Sequence, residues 1–185
     1  MAEPTRSQRY LAEMQAEFPG VRVVPKATSG LQRTIDRLLT VATLGKMDAY
    51  MTHYTTVLGR TIYTPSGWDT RTDEEKYITL RHEAVHLRQS RRYTMLGMTF
   101  LYALPFFPVG LAYGRARIEW EAYAETLRAV AEVYGIDEAR SPRQRAHIVR
   151  QFTSASYGWM WPFPRTIERW IDEALARIAL SVPPR

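Results

Sequence analysis

Thr72-Asp-Glu-Glu-Lys-Tyr-Ile-Thr-Leu80-Arg-His-Glu-Ala-Val-His86 is the stretch on which the reading of this chain turns. Thr72 followed three residues later by Glu75 is a capping box, and Asp73 and Glu74 suit the positive end of a helix dipole. The pattern predicts a helix from about Asp73 to about Arg92. Within it, His82 and His86 are four residues apart and share one face, so both imidazoles can reach a single ion. Glu83 lies about 100° further round the helix. That keeps it off the ion but near enough to take a proton from a water beside it. HExxH at this spacing is what metal-assisted hydrolysis needs, and two of the four histidines in the chain stand here.

Upstream, Tyr50-Met-Thr-His-Tyr-Thr-Thr-Val-Leu-Gly-Arg-Thr-Ile-Tyr-Thr64 is rich in β-branched and aromatic residues, with Gly59 in its middle. It reads as two strands joined by a tight turn, ended by Pro65-Ser-Gly67. Residues 5–18 suit a short helix that stops at Pro19-Gly20, and Val21-Arg-Val-Val24 alternates like a strand. A further helix is expected after Ser29, with Leu31, Ile35, Leu38, Leu39 and Ala42 on one face and Gly45 at its close. The order so far is helix, strand, helix, β-hairpin, and then the HExxH helix.

Two imidazoles leave a catalytic zinc one protein ligand short. Cysteine is absent, so the third ligand has to be His, Asp or Glu. His147 stands on a different predicted element, and the nearest carboxylates are in Ile118-Glu-Trp-Glu-Ala-Tyr-Ala-Glu125, which reads as helix. Glu119 and Glu121 are about 200° apart around such a helix, so the fold is expected to use one and turn the other away.

Across residues 50–130 the hairpin, His82-Glu-Ala-Val-His86 and Glu119-Trp-Glu-Ala-Tyr123 resemble the gluzincins, and more narrowly the minimal single-domain ones. These are zinc peptidases with HExxH on one helix and a glutamate ligand on a second. The resemblance implies Zn2+ held by His82, His86 and Glu119, with Glu83 as general base. It favours Glu119 because a small residue, Ala122, follows three positions later. Tyr123 stands where the family often has an aspartate that orients the first histidine, and its hydroxyl is expected near His82. A donor to the oxyanion is expected as well, Tyr157 first and His147 second. The resemblance further implies a peptide or protein substrate, laid along the sheet edge that the hairpin provides.

Residues 93–114 carry no charge over 22 positions, long enough to cross a bilayer as one helix. Pro105, Pro108 and three glycines interrupt the run, and Arg91, Arg92, Arg115 and Arg117 flank both ends, giving no inside–outside asymmetry. A single span would also put His86 and Glu119 on opposite sides of about 30 Å of hydrocarbon, where they could not share an ion. A hairpin broken at Pro105–Pro108 is therefore expected, as buried core or dipped shallowly into a membrane surface. Two more helices follow, over residues 141–153 and 164–180, the first with Ser141 as N-cap and Pro142 in its first turn.

At 185 residues, 45% hydrophobic and 24% charged, the chain suits a single folded domain, 1–185. Disulfides and thiolate chemistry are excluded. The net charge of +6 comes from arginines spread over the whole chain without a nucleic-acid motif, so no nucleic-acid partner is expected. The first twenty residues lack the apolar core of a secretory signal, and the cytoplasm, with peripheral membrane contact, is the expected location. The overall expectation is an α+β, zincin-like domain: a small, mostly antiparallel sheet packed on the active-site helix and the glutamate helix, with C-terminal helices. Its expected activity is that of a zinc metallopeptidase. The rival expectations are a metal- or peptide-binding relic without turnover, and a membrane-associated protein that uses the 93–114 hairpin.

Overall fold

The structure is a computed structural model that describes residues 3–30, 55–103, 112–154 and 160–181, and side chains throughout these except at 94–103. The described residues are mixed α and β, and mostly helical. They divide into two compact units, 1–87 and 88–185, with the boundary inside one long helix.

The first unit opens with helix α1, Arg6–Glu17. Its N-cap Thr5 forms a full capping box with Gln8, which satisfies two amide donors that a helix start leaves open. Strand β1, Arg22–Pro25, follows, and then the hairpin of β2, Thr56–Leu58, and β3, Thr61–Thr64. Gly59 takes a positive φ of 60° in the two-residue turn, a conformation in which a Cβ is strained. The hairpin thus forms where the composition of residues 50–64 placed it, with Leu58 opposite Thr61.

The sheet order is β1-β3-β2, and the sheet is mixed rather than mostly antiparallel. β2 pairs antiparallel with β3, while β1 pairs parallel with it, Val23 opposite Ile62. A two-residue turn joins β2 and β3 as antiparallel neighbours, and β3 lies between β2 and β1, which run in opposite directions, so β1 pairs with it in parallel. Ile62 of β3 is fully buried and packs with Met14, Phe18 and Val21 against Leu80, Ala84 and Leu87. The spacing 80, 84, 87 is one stripe of a helix, and that stripe turns the HExxH helix toward the sheet.

That helix is α2, Asp73–Ala103, 31 residues long. Its start is the expected capping box: Thr72 N–H donates to Glu75 at 2.9 Å and Glu75 N–H to the Thr72 hydroxyl at 3.2 Å. Its end lies well beyond Arg92. No breaker stands between Arg92 and Ala103 except Gly97, which costs only about 1 kcal/mol, and the first proline, Pro105, is two residues past the helix. Asp73, in its first turn, also accepts hydrogen bonds from the Thr5 hydroxyl and from the Ser7 hydroxyl and amide. One carboxylate thereby ties the starts of α1 and α2.

In the second unit, α3 is Tyr113–Tyr134, α4 the unanticipated single turn Ile136–Ala139, α5 Pro142–Thr153 and α6 Pro164–Ser181. Ser141 caps α5 as expected, accepting from Gln144 N–H. Gly135, at φ 95°, makes the bend from α3 to α4. The core here is aromatic: the Trp120 ring lies 5.6 Å from Trp170 and 6.4 Å from Phe152, and Tyr123 lies 5.5 Å from Phe152. The uncharged run is not one helix, since α2 is described to Ala103 and α3 starts at Tyr113. Among the described residues no helix is long and apolar enough to cross a membrane. The expected helix over 31–45, the turn at Pro105–Pro108 and the candidate Tyr157 lie outside the described residues.

Candidate metal centre

The capping box and the apolar stripe together set the rotation of α2. With Leu80, Ala84 and Leu87 facing the sheet, His82 and His86 come to the far side of the helix, roughly 145° round, where their rings stand edge to face with centroids 5.0 Å apart. Their Nε2 atoms converge to 3.3 Å. Two imidazole nitrogens at that distance are joined either by one N–H or by a shared cation.

Glu119 on α3 completes the group: one ligand atom from each of His82, His86 and Glu119 lies within 4.8 Å of the others. The set fits zinc. Two nitrogens each about 2.05 Å from one tetrahedral ion stand about 3.3 Å apart, the separation of the two Nε2 atoms. The donors are of the right kind, two imidazoles and a carboxylate, and a carboxylate would offset one of the two charges of a divalent ion. Glu119 and His86 are 7% and 8% exposed, while His82 is half-buried.

Glu83 is 5% exposed and sits on the edge of α2 between the histidine face and the sheet-facing stripe. It is in the same turn as His82 and is not one of the three grouped ligands.

A participant that the sequence reading missed is Gln89. It lies three residues after His86, so positions 82, 86 and 89 form one face of α2. Gln89 is buried, and its Nε2 donates to the Ile118 carbonyl and to Glu121 Oε2, both at 2.9 Å. This clasp holds the peptide just before Glu119 against α2. Glu121 is therefore not turned away from the histidine helix as expected: its carboxylate accepts from Gln89, while Glu119 has an oxygen grouped with the imidazole nitrogens. An i, i+4, i+7 polar series on an otherwise half-buried helix was the signal available for Gln89.

Tyr123 is buried on α3 with its ring against Phe152. His147 lies on the exposed side of α5. Desolvation, and after it the charges of Arg150 and Arg143, lower its pKa below the ordinary histidine value. Buried Lys26, directly after β1, was likewise not anticipated as a core residue. No family model matches the sequence, and neither a curated protein nor a solved structure matches the chain.

Proposed function

We propose that this chain is a zinc-dependent hydrolase of the gluzincin type, acting on peptide bonds. The observation that carries the proposal is the convergence of His82, His86 and Glu119 from two helices, with a buried Glu83 in the same turn as the first histidine. A purely structural metal site has no use for that carboxylate. A bound zinc supplies a Lewis acid and brings the pKa of its water to about 7.

The residues of the chain then divide the work. His82 and His86 would hold the ion, and Glu119 would supply the anionic ligand. Gln89 donates to the carbonyl of Ile118, the residue just before Glu119, and so holds that turn of α3 in place. Glu83 accepts the proton of the attacking water and passes it to the leaving nitrogen, so one carboxylate serves both as base and as acid. Burial at Glu83 keeps bulk water from competing for that proton. The peptide class is supported by β2, an edge strand of the described sheet, which offers backbone groups to an extended chain.

The test is Glu83→Gln in the full chain, read by zinc content and by hydrolysis of an unstructured protein substrate. The amide keeps the shape and cannot take the proton, so zinc should stay at about one per chain while turnover falls by at least about a hundredfold. Unchanged turnover would remove Glu83 from the chemistry. Wild-type protein that holds zinc and hydrolyses no peptide would favour the relic reading, a metal site without turnover.

A further inference from the structure

In the second unit the clasp between Gln89 and Ile118 has a consequence apart from the metal. It fixes the level at which α2 and α3 lie side by side. At 1.5 Å per residue, Arg91, Arg92 and Tyr93 stand within about 6 Å of Gln89 along α2, and Tyr113, Arg115 and Arg117 within about 8 Å of Ile118 along α3. Four arginines and two tyrosines therefore share one level on the helix pair. Arg91 and Arg92 are exposed, and the Arg92 guanidinium lies 5.3 Å from the Tyr93 ring.

The same level carries an exposed aromatic cluster. Tyr113 is 51% exposed and Phe163 50%. Trp161 lies between them, its ring 5.2 Å from each. Arg117 lies over Trp170 at 5.1 Å, and exposed Arg165 follows Phe163 by two residues. Large half-exposed rings beside arginines are costly to leave in water. They are the residues that settle at the headgroup level of a bilayer, rings toward the chains and guanidiniums toward the phosphates.

Beyond this level α2 continues from Thr94 to Ala103, ten residues without a charge, or about 15 Å of helix. That is about half the hydrocarbon thickness of a bilayer, a length that suits entry into one leaflet. The chain's net charge of +6 selects for anionic lipid.

We propose that the second unit is a membrane-docking module: the belt of Arg91, Arg92, Tyr93, Tyr113, Arg115, Arg117, Trp161 and Phe163 seats on an anionic leaflet, and the uncharged end of α2 enters it. This does not rest on the hydrolase reading, since none of these residues is a proposed ligand or proton carrier.

The experiment is co-sedimentation of the full chain with phosphatidylcholine vesicles, with and without 30% phosphatidylglycerol, at low and high salt. Binding to the anionic vesicles that weakens with salt is expected. Arg91→Glu with Arg92→Glu should weaken it by at least about 25-fold, about fivefold for each basic residue lost at the surface. Tyr113→Ser with Phe163→Ser should weaken it at both salt levels, because the aromatic contribution is not screened. All four residues are exposed or partly so, and a thermal melt verifies that the variants fold. His82→Ala should bind vesicles like wild type, which separates this proposal from the metal site. Failure to bind anionic vesicles at low salt would overturn it. So would binding that neither double variant changes, or a wild-type chain that buries the belt by self-association and ignores lipid.

Discussion

Replacing Glu119 by alanine, beside Glu121→Ala as its control, tests the candidate centre most directly, because the structure gives the two glutamates different work. Glu119 has a carboxylate oxygen grouped with both imidazoles, whereas Glu121 takes the Gln89 amide at 2.9 Å. Removing a partner that only orients a ligand costs about 10–100-fold in metal affinity. Loss of an anionic ligand should exceed that range, so Glu119→Ala should weaken zinc by more than about 100-fold, or at least about 2.7 kcal/mol. Glu121→Ala frees one of the two hydrogen bonds of the Gln89 amide and leaves the Ile118 bond in place, so its cost should stay under about tenfold. Chelator competition reads the affinities directly. Thermal melts at a fixed free zinc level give a second reading, since a ligand that binds only the folded state at 100 times its Kd adds about 2.7 kcal/mol of stability. A wild-type affinity in Glu119→Ala, or a larger loss in Glu121→Ala than in Glu119→Ala, would refute the assignment and the geometry it rests on.

Two further outcomes concern the scaffold. The pKa of Asp73 is lowered below 3.8: its desolvation acts the other way and is outweighed by the hydrogen bonds from Ser7, Thr5 and the Ser7 and Arg6 amides. A depressed folded pKa adds stability above the unfolded value, lost as pH falls through the folded one. Urea titrations should accordingly show Asp73→Asn less stable than wild type at pH 7, with the gap closing below pH 3.8; a gap that persists there would assign the loss to packing. Ile62→Ala, at the fully buried centre between sheet and α2, should cost about 2–5 kcal/mol in the same titration, and a loss below about 1 kcal/mol would mean that the sheet does not hold that helix.

Local chemistry along the chain was enough for several elements. Thr72 and Glu75 are three residues apart, and a capping box needs nothing further away, so the start of α2 could be read directly. Gly59 between two β-rich segments defined the hairpin in the same way, and Ser141-Pro142 the start of α5. The i, i+4 spacing of His82 and His86 put two imidazoles on one face because helix geometry alone does so. The far end of α2 was misjudged because a helix stops at a breaker or through packing, and the change from polar to apolar at Tyr93 is neither.

Tertiary structure decided what depends on residues far apart in the chain. The parallel pairing of β1 with β3 joins strands far apart in the chain, which no local pattern encodes. Glu119 and Glu121 have the same side chain on the same helix. Only the packing of α3 on α2, registered by Gln89 on the Ile118 carbonyl, gives one of them the place beside the imidazoles and the other the amide. Whether side chains from two helices converge is a matter of helix separation and rotation, and those are set by the side chains buried between helices, not by the order of residues along either one.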